Sequence, residues 1–238
     1  MSTSPITETT SRVAFVTGAA SGIGASVTRL LRASGYRVTG FDLRRGEADL
    51  NIIGDVTDPA GVAEAVAQTQ ERFGSLDVVV SVAGHYEMLP VDAISDADWL
   101  RMINVHLGGL TTLLRCALPG MLERRSGRII AVTSELAIGG GDHDAHYATA
   151  KGSIIGFVRS LAVELAAKGV LVNAVAPGPC DTPLLAADSP WRDRAYLDTL
   201  PARRLANPEE IAVAVEFLAS EASFCVGEVI SINSGAVI

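Results

Sequence analysis

Tyr147 and Lys151 stand four residues apart in the stretch HYATAK, and Ser134 lies thirteen residues upstream of Tyr147. On a helix, positions i and i+4 share a face, so a phenol and an ammonium can meet one bound group. A free tyrosine, with a pKa of about 10, is a poor base at neutral pH. A cation held beside it stabilises the phenolate and fits it for proton transfer with a substrate hydroxyl. Ser134 can donate a hydrogen bond to the same substrate oxygen and hold it against Tyr147. By itself a Y-x-x-x-K spacing is common on helices, so the rest of the chain has to support it.

A second stretch, TGAASGIG at 17–24, follows the strand-like VAFVT and precedes the helix-like ASVTRLLRASG. Gly18 suits a tight turn, Gly22 leaves room for a pyrophosphate, and Gly24 lets the helix pack close to the sheet. The N–H groups of that helix start, in the turn that holds Ser21 and Ile23, face phosphates. Asp42 ends the next strand, 18 residues after Gly24. A carboxylate there accepts hydrogen bonds from the adenosine ribose and repels a 2′-phosphate, which favours NAD over NADP. Arg44 and Arg45 follow closely and could hold a 2′-phosphate; with Asp42 at the ribose position they read as solvated loop. A glycine-rich strand–helix turn also occurs without a ligand, and here the flanking strand, helix and acid weigh against that.

These residues need elements to position them. Apolar, β-branched runs at 13–17, 37–41, 51–55, 77–83, 128–133, 170–175 and 228–233 read as strands covered on both faces. Between them, Val62, Ala65, Val66, Thr69 and Phe73 make a helical stripe, with Asp58 as N-cap and Pro59 at the first position. Ser95 with Asp98 starts a helix through Trp99, Ile103 and Leu107, and Asn207, Pro208 and Glu210 repeat that logic. Ile155, Val158, Ala162 and Leu165 form another stripe. The alternation predicts an α/β fold: a doubly wound parallel sheet of about seven strands with helices on both sides, in three α/β/α layers. Residues 1–11 read as a loose tail and 12–238 as a single dinucleotide-binding and catalytic domain. Only 12 residues separate Asp42 from Asp55, so a loop or one helical turn is expected there.

The chain has 238 residues, 48% of them apolar and 19% charged, which suits a globular domain with a continuous core. A net charge of −8 leaves no broad basic face for nucleic acid or anionic lipid. Cys116, Cys180 and Cys225 are odd in number and show no metal-ligand clustering. The first residues lack a basic region followed by an apolar stretch, and no run approaches a membrane span. The expectation is a soluble cytoplasmic protein without a metal.

In order along the chain, TGAASGIG, Asp55, SVAG (81–84), Asn104, Ser134, Tyr147–Lys151, NAVAPG (173–178) and Thr182 resemble the short-chain dehydrogenase/reductase family. The resemblance runs from about Val13 to Asn233. It implies a Rossmann-type fold with strand order 3-2-1-4-5-6-7, a nicotinamide cofactor and a homo-oligomer, a tetramer. It also implies roles: Tyr147 as general acid/base, Ser134 orienting the substrate, Lys151 binding the nicotinamide ribose and lowering the Tyr147 pKa, and Asn104 holding a water behind Lys151. Asp55 would meet the adenine with Val56 packed near it, and Thr182 would contact the nicotinamide carboxamide. Ala83, Gly84, Pro177 and Gly178 fall in the matched cofactor motifs.

The chain departs from the family in places. Ser81 and Val82 stand where the family has two asparagines, and Val82 cannot replace an amide, so altered support for the central sheet is expected. NSG at 233–235 replaces a Gly-Gly pair. The short segment after Asp42 is similar to members that oxidise cyclic diols, such as dihydroxybenzoate-forming dehydrogenases. Substrate contacts are expected from loops carrying His85, Glu135, His143, His146 and Trp191. Each histidine reads equally as a loop residue in water, and Glu135 is expected to point away from the nucleotide. Gly139–Gly140–Gly141 would loosen the loop before Tyr147. Trp191 and Tyr196 would form a lid, or a helical hairpin on the domain's own surface. The expected activity is NAD-dependent interconversion of a secondary alcohol and a ketone. The rivals are an NADPH-dependent 3-oxoacyl-type reductase and a non-catalytic nucleotide-binding regulator.

Overall fold

Seven apolar runs become seven parallel strands. In the computed structural model, which describes residues 11–220 and 224–238, these are β1 (Val13–Thr17), β2 (Arg37–Asp42), β3 (Leu50–Ile53), β4 (Val78–Ser81), β5 (Gly127–Val132), β6 (Val170–Pro177) and β7 (Val229–Ile232). They form one sheet in the order β3-β2-β1-β4-β5-β6-β7. The expected loose tail falls almost wholly on residues 1–10, outside the described residues.

The helices are α1 (Gly22–Ala33), α2 (Pro59–Phe73), α3 (Asp96–Ile103), α4 (Gly109–Arg124), α5 (Leu136–Gly139), α6 (Ala145–Leu165), α7 (Arg194–Leu197) and α8 (Pro208–Ala219). Strand side chains alternate between faces, which splits the core in two. Val13, Phe15, Val79, Ile129 and Val172 pack under α2, α4 and α6. Ala14, Val16, Val38, Val80 and Ile130 pack against α1 and α8.

The helix starts follow their local chemistry. Asp58 accepts from the Ala60 N–H, with Pro59 at the first helical position. Ser95 and Asp98 form a reciprocal capping box, as do Asn207 and Glu210. Two apolar stripes differ from expectation. On α6 the buried row is Tyr147, Lys151, Ile154, Val158, Ala162 and Leu165, with Ile154 in place of Ile155. Between α3 and α4 the chain makes a π-turn over Asn104–Gly108. Its wider turn buries Met102, His106 and Leu110, not Trp99, Ile103 and Leu107.

The segment from Leu43 to Asp49 is a loop without a helical turn. Support for the sheet centre, in doubt at Val82, comes from β1: the backbone N–H groups of Val82 and Ala83 donate to Thr17 Oγ1 at 3.0 and 3.1 Å. At the far edge, Ser234 takes a left-handed φ of 56°. The turn there is held by Asn233, whose amide donates to Val237 O at 2.8 Å and accepts from Gly235 N at 2.9 Å.

Candidate active site

A cleft of about 510 Å³ runs along the carboxyl edge of the sheet, from the glycine turn at 18–24 to Ser134 and Tyr147. The glycine turn is crowded where side chains would stand. Gly18, at φ 66°, would put a Cβ 2.9 Å from Ala83 Cα, and a Cβ on Gly24 would run into the Gly18 carbonyl. A Cβ on Gly22, at φ 51°, would stand 3.1 Å from the Thr182 side chain. Bare backbone therefore lines this end, and the start of α1 opens onto it, which fits a pyrophosphate.

Asp42 lines the same end of the cleft as the glycine turn. Its Oδ2 accepts from Ala20 N and its Oδ1 from Arg44 N, both at 3.0 Å. Each oxygen keeps a further lone pair for a ligand. Asp55 is fixed by a local turn, accepting from the Thr57 N–H and hydroxyl at 2.8 Å each. With Gly18, Ser21, Gly22, Ile23 and Gly24, the cleft is lined by Asp42, Asp55, Val56, Ala83, Gly84, Pro177, Gly178 and Thr182. The residues present fit a nicotinamide dinucleotide along their whole length.

At the other end α6 presents Tyr147 and Lys151 to the cleft, one turn apart. Lys151 Nζ donates to Val132 O at 2.9 Å and lies 5.7 Å from the centre of the Tyr147 ring. Burial lowers the ammonium to about 7. Burial raises the Tyr147 phenol above its usual range, the Glu135 charge adds to the rise, and a hydrogen bond with Ser134 works against it. Lys151 was expected to lower the Tyr147 pKa. In the structure it lies over the ring, and loss of water dominates both groups.

Ser134, at the end of β5, donates to Glu135 Oε2 at 3.0 Å and accepts from Leu136 N at 3.2 Å. Glu135 is only 6% exposed and lines the cleft. Desolvation raises its carboxyl to about 7, against the lowering effect of the Ser134 bond.

Asn104 does not join this cluster. Its side chain is exposed at the start of the π-turn and lies outside the cleft lining. His106, two residues on, takes the inward position. Its Nε2 is 2.9 Å from His85 O and 3.4 Å from His85 N. Its ring stacks on His85 and meets the edge of Tyr147, with centroids 5.5 and 5.6 Å apart. Burial, and next the Lys151 charge, lower its pKa well below the usual value, so the ring is neutral. A Cβ on Gly84 would strike this imidazole. The sequence carried a signal for His106: a polar residue in the otherwise apolar row Met102, Leu110, Leu113 and Leu114.

The other histidines divide. His85 lines the cleft. His143 is exposed, at φ 60°, with its Nδ1 3.1 Å from Asp142. His146 is fully buried beneath the cleft wall against Trp99, ring centroids 6.1 Å apart, and does not line the cleft. Neither His143 nor His146 is among the residues that line the cleft. Trp191, on a 3-10 turn at Pro190–Arg192, closes the outer wall by donating to the Tyr86 hydroxyl at 2.8 Å. Arg192 pins that segment through Asp181 at 2.7 Å. Among the described residues no group of three or more His, Cys, Asp or Glu could hold a metal, and no helix is long and apolar enough to cross a membrane.

Fold and cleft together define a Rossmann-type oxidoreductase. The family model described as enoyl-(acyl carrier protein) reductase matches residues 18–237. A cis-4-hydroxycyclohexanecarboxylate dehydrogenase from Sinomonas cyclohexanicum is 41% identical, covering 94% of this chain and 96% of that protein. A 3-oxoacyl-(acyl-carrier-protein) reductase from Vibrio cholerae is 36% identical, covering 94% and 96%. The ligand-free structure of the aldohexose dehydrogenase of Thermoplasma acidophilum superimposes with a TM-score of 0.87 at 31% identity, covering 94% and 93%. The chain belongs to the short-chain dehydrogenase/reductase family.

Proposed function

We propose that residues 12–238 form one domain that oxidises a secondary alcohol, or reduces the matching ketone, with NAD as the preferred cofactor. The observation that carries the NAD preference is the Asp42 carboxylate in the cleft, fixed by two backbone N–H groups with lone pairs to spare. It suits a ribose diol and opposes a phosphate.

When bound, the nicotinamide supplies hydride acceptance or donation. Tyr147 holds and moves the hydroxyl proton, Ser134 fixes the substrate oxygen, and Lys151 sets the charge beside them. A lysine near 7 can hold or release a proton at working pH. His85, Tyr86, Leu136, Leu185 and Trp191 line the substrate side. This largely apolar wall suits a cyclic or aliphatic alcohol, in keeping with the hydroxycyclohexane named for the Sinomonas relative. A second reading, NADPH-dependent reduction of a 3-oxoacyl group, draws on Arg44 in the cleft lining and on the Vibrio relative.

The reading includes a homotetramer. Leu100 on α3 and Val163 on α6 are 62% and 84% exposed apolar side chains that partner copies could cover, and sedimentation velocity reads the assembly directly. A screen of secondary alcohols with NAD and NADP, followed at the reduced nicotinamide band, tests the activity. Turnover with NAD is expected, and Tyr147→Phe should abolish it; substantial activity left in that variant would refute the assigned chemistry.

A further inference from the structure

A serine hydroxyl has one proton to give and two lone pairs to accept with. At Ser134 two of these three are already committed. The proton goes to Glu135 Oε2 at 3.0 Å, and one lone pair takes the Leu136 N–H at 3.2 Å. The position left at Ser134 is a lone pair on the side of Tyr147, whose phenol hydrogen-bonds with it, and a substrate oxygen entering between the two meets that lone pair. A ketone oxygen is an acceptor and gains nothing from a lone pair. An alcohol brings its own proton and can donate to it.

The arrangement reverses if Glu135 carries a proton. The carboxyl O–H then donates to Ser134 Oγ, both lone pairs of Ser134 are filled from within the protein, and its own proton is free for a carbonyl oxygen. No heavy atom need move, because the same 3.0 Å contact serves both directions. Glu135 is buried, lines the cleft, and is adjacent in sequence to the residue it controls. We propose that Glu135 is a positioning residue that sets the hydrogen-bond direction of Ser134, and so decides whether the site favours a ketone or an alcohol. This rests on the dehydrogenase reading given above and adds a residue to it.

The groups that act on Glu135 are Ser134 on its own loop, Asp144 and Tyr147 at the start of α6, and Tyr196 on α7. Asp144 and an ionised Tyr147 both oppose a second negative charge. The carboxyl titrates at about 7, mainly through desolvation, so the switch falls within the working pH range. Lys151 titrates in the same range, also through burial. The diagnostic is therefore the difference between wild type and a variant with no ionisable group at 135.

The test measures KM for cyclohexanone with NADH and for cyclohexanol with NAD, or for whichever alcohol–ketone pair the screen turns over fastest. In wild type the ketone-to-alcohol KM ratio is expected to rise about tenfold between about pH 6 and about pH 8, the worth of one hydrogen bond. In Glu135→Gln the amide can still donate to Ser134 at every pH, so the ratio should stay near its low-pH value. Glu135→Ala provides a second non-titrating variant should the glutamine protein fold poorly. A residue with a merely structural role would lower kcat at all pH values and leave the slope alone. A flat ratio in wild type, or equal slopes in wild type and the variants, overturns the proposal while leaving the dehydrogenase reading intact. Protein that binds NADH and turns over no alcohol or ketone overturns both.

Discussion

Asp42 does two things with one carboxylate. It ties the glycine turn to β2 through Ala20 N and presents its remaining lone pairs to the adenosine end of the cleft. Asp42→Ala removes both. Losing charge-assisted hydrogen bonds to a ribose diol, and the repulsion of a 2′-phosphate, should lower the NAD-to-NADP ratio of kcat/KM by about 10- to 100-fold. Steady-state kinetics with both cofactors check this, and an unchanged ratio would place cofactor choice elsewhere, with Arg44 the first alternative. That Asp42, Ser134, Tyr147 and Lys151 line one cleft was legible in the sequence because each placement depends on local spacing: a strand end, or two positions on one helix face. Glu135 was visible only as a neighbour of Ser134. Its influence depends on burial and on the direction of one proton, which spacing does not encode.

At the scale of elements, strands and caps could be read to within a residue or two, since alternation and capping boxes are short-range patterns. The π-turn could not. Asn104, the expected relay residue, is exposed at its start and outside the cleft lining, and His106 fills the space between the turn, the loop after β4 and the Tyr147 ring. His106 Nε2 can serve only one of the two His85 backbone groups at a time, whereas a carboxamide has both a donor and an acceptor. His106→Asn should therefore keep most of the activity. His106→Leu strands a buried backbone group and should cost about 1–3 kcal/mol of stability along with a large share of kcat. Thermal melting and kcat measured on both variants separate the outcomes, and equal damage from both would show that ring packing, not hydrogen bonding, is what matters.

For the molecule as a whole, the site works against the fold. Glu135 is raised from 4.5 to about 7, so stability falls as pH rises through that interval and stays low above it. Lys151 is lowered from 10.5 to about 7, so its burden is full below about 7 and fades as pH climbs toward 10.5. The two burdens overlap near neutrality. Removing the first should show it: Glu135→Gln should raise Tm more at about pH 8 than at about pH 5, with a gain on the order of 3 kcal/mol at most. A gain independent of pH would mean that the carboxyl ionises as readily in the folded protein as in the unfolded chain. The π-turn also reaches beyond the site. By adding a residue to one turn, it shifts the angular phase of everything after it, so that Leu110, Leu113, Leu114, Ala117 and Met121 meet the sheet only because of that surplus. Closing this turn into regular α-helix without losing a residue would rotate the whole of α4 by about 100° against its core. It would also swing His106 away from Tyr147. The stretch is thus a frame marker: α4 keeps its phase only while the backbone here stays wide enough to hold the surplus residue.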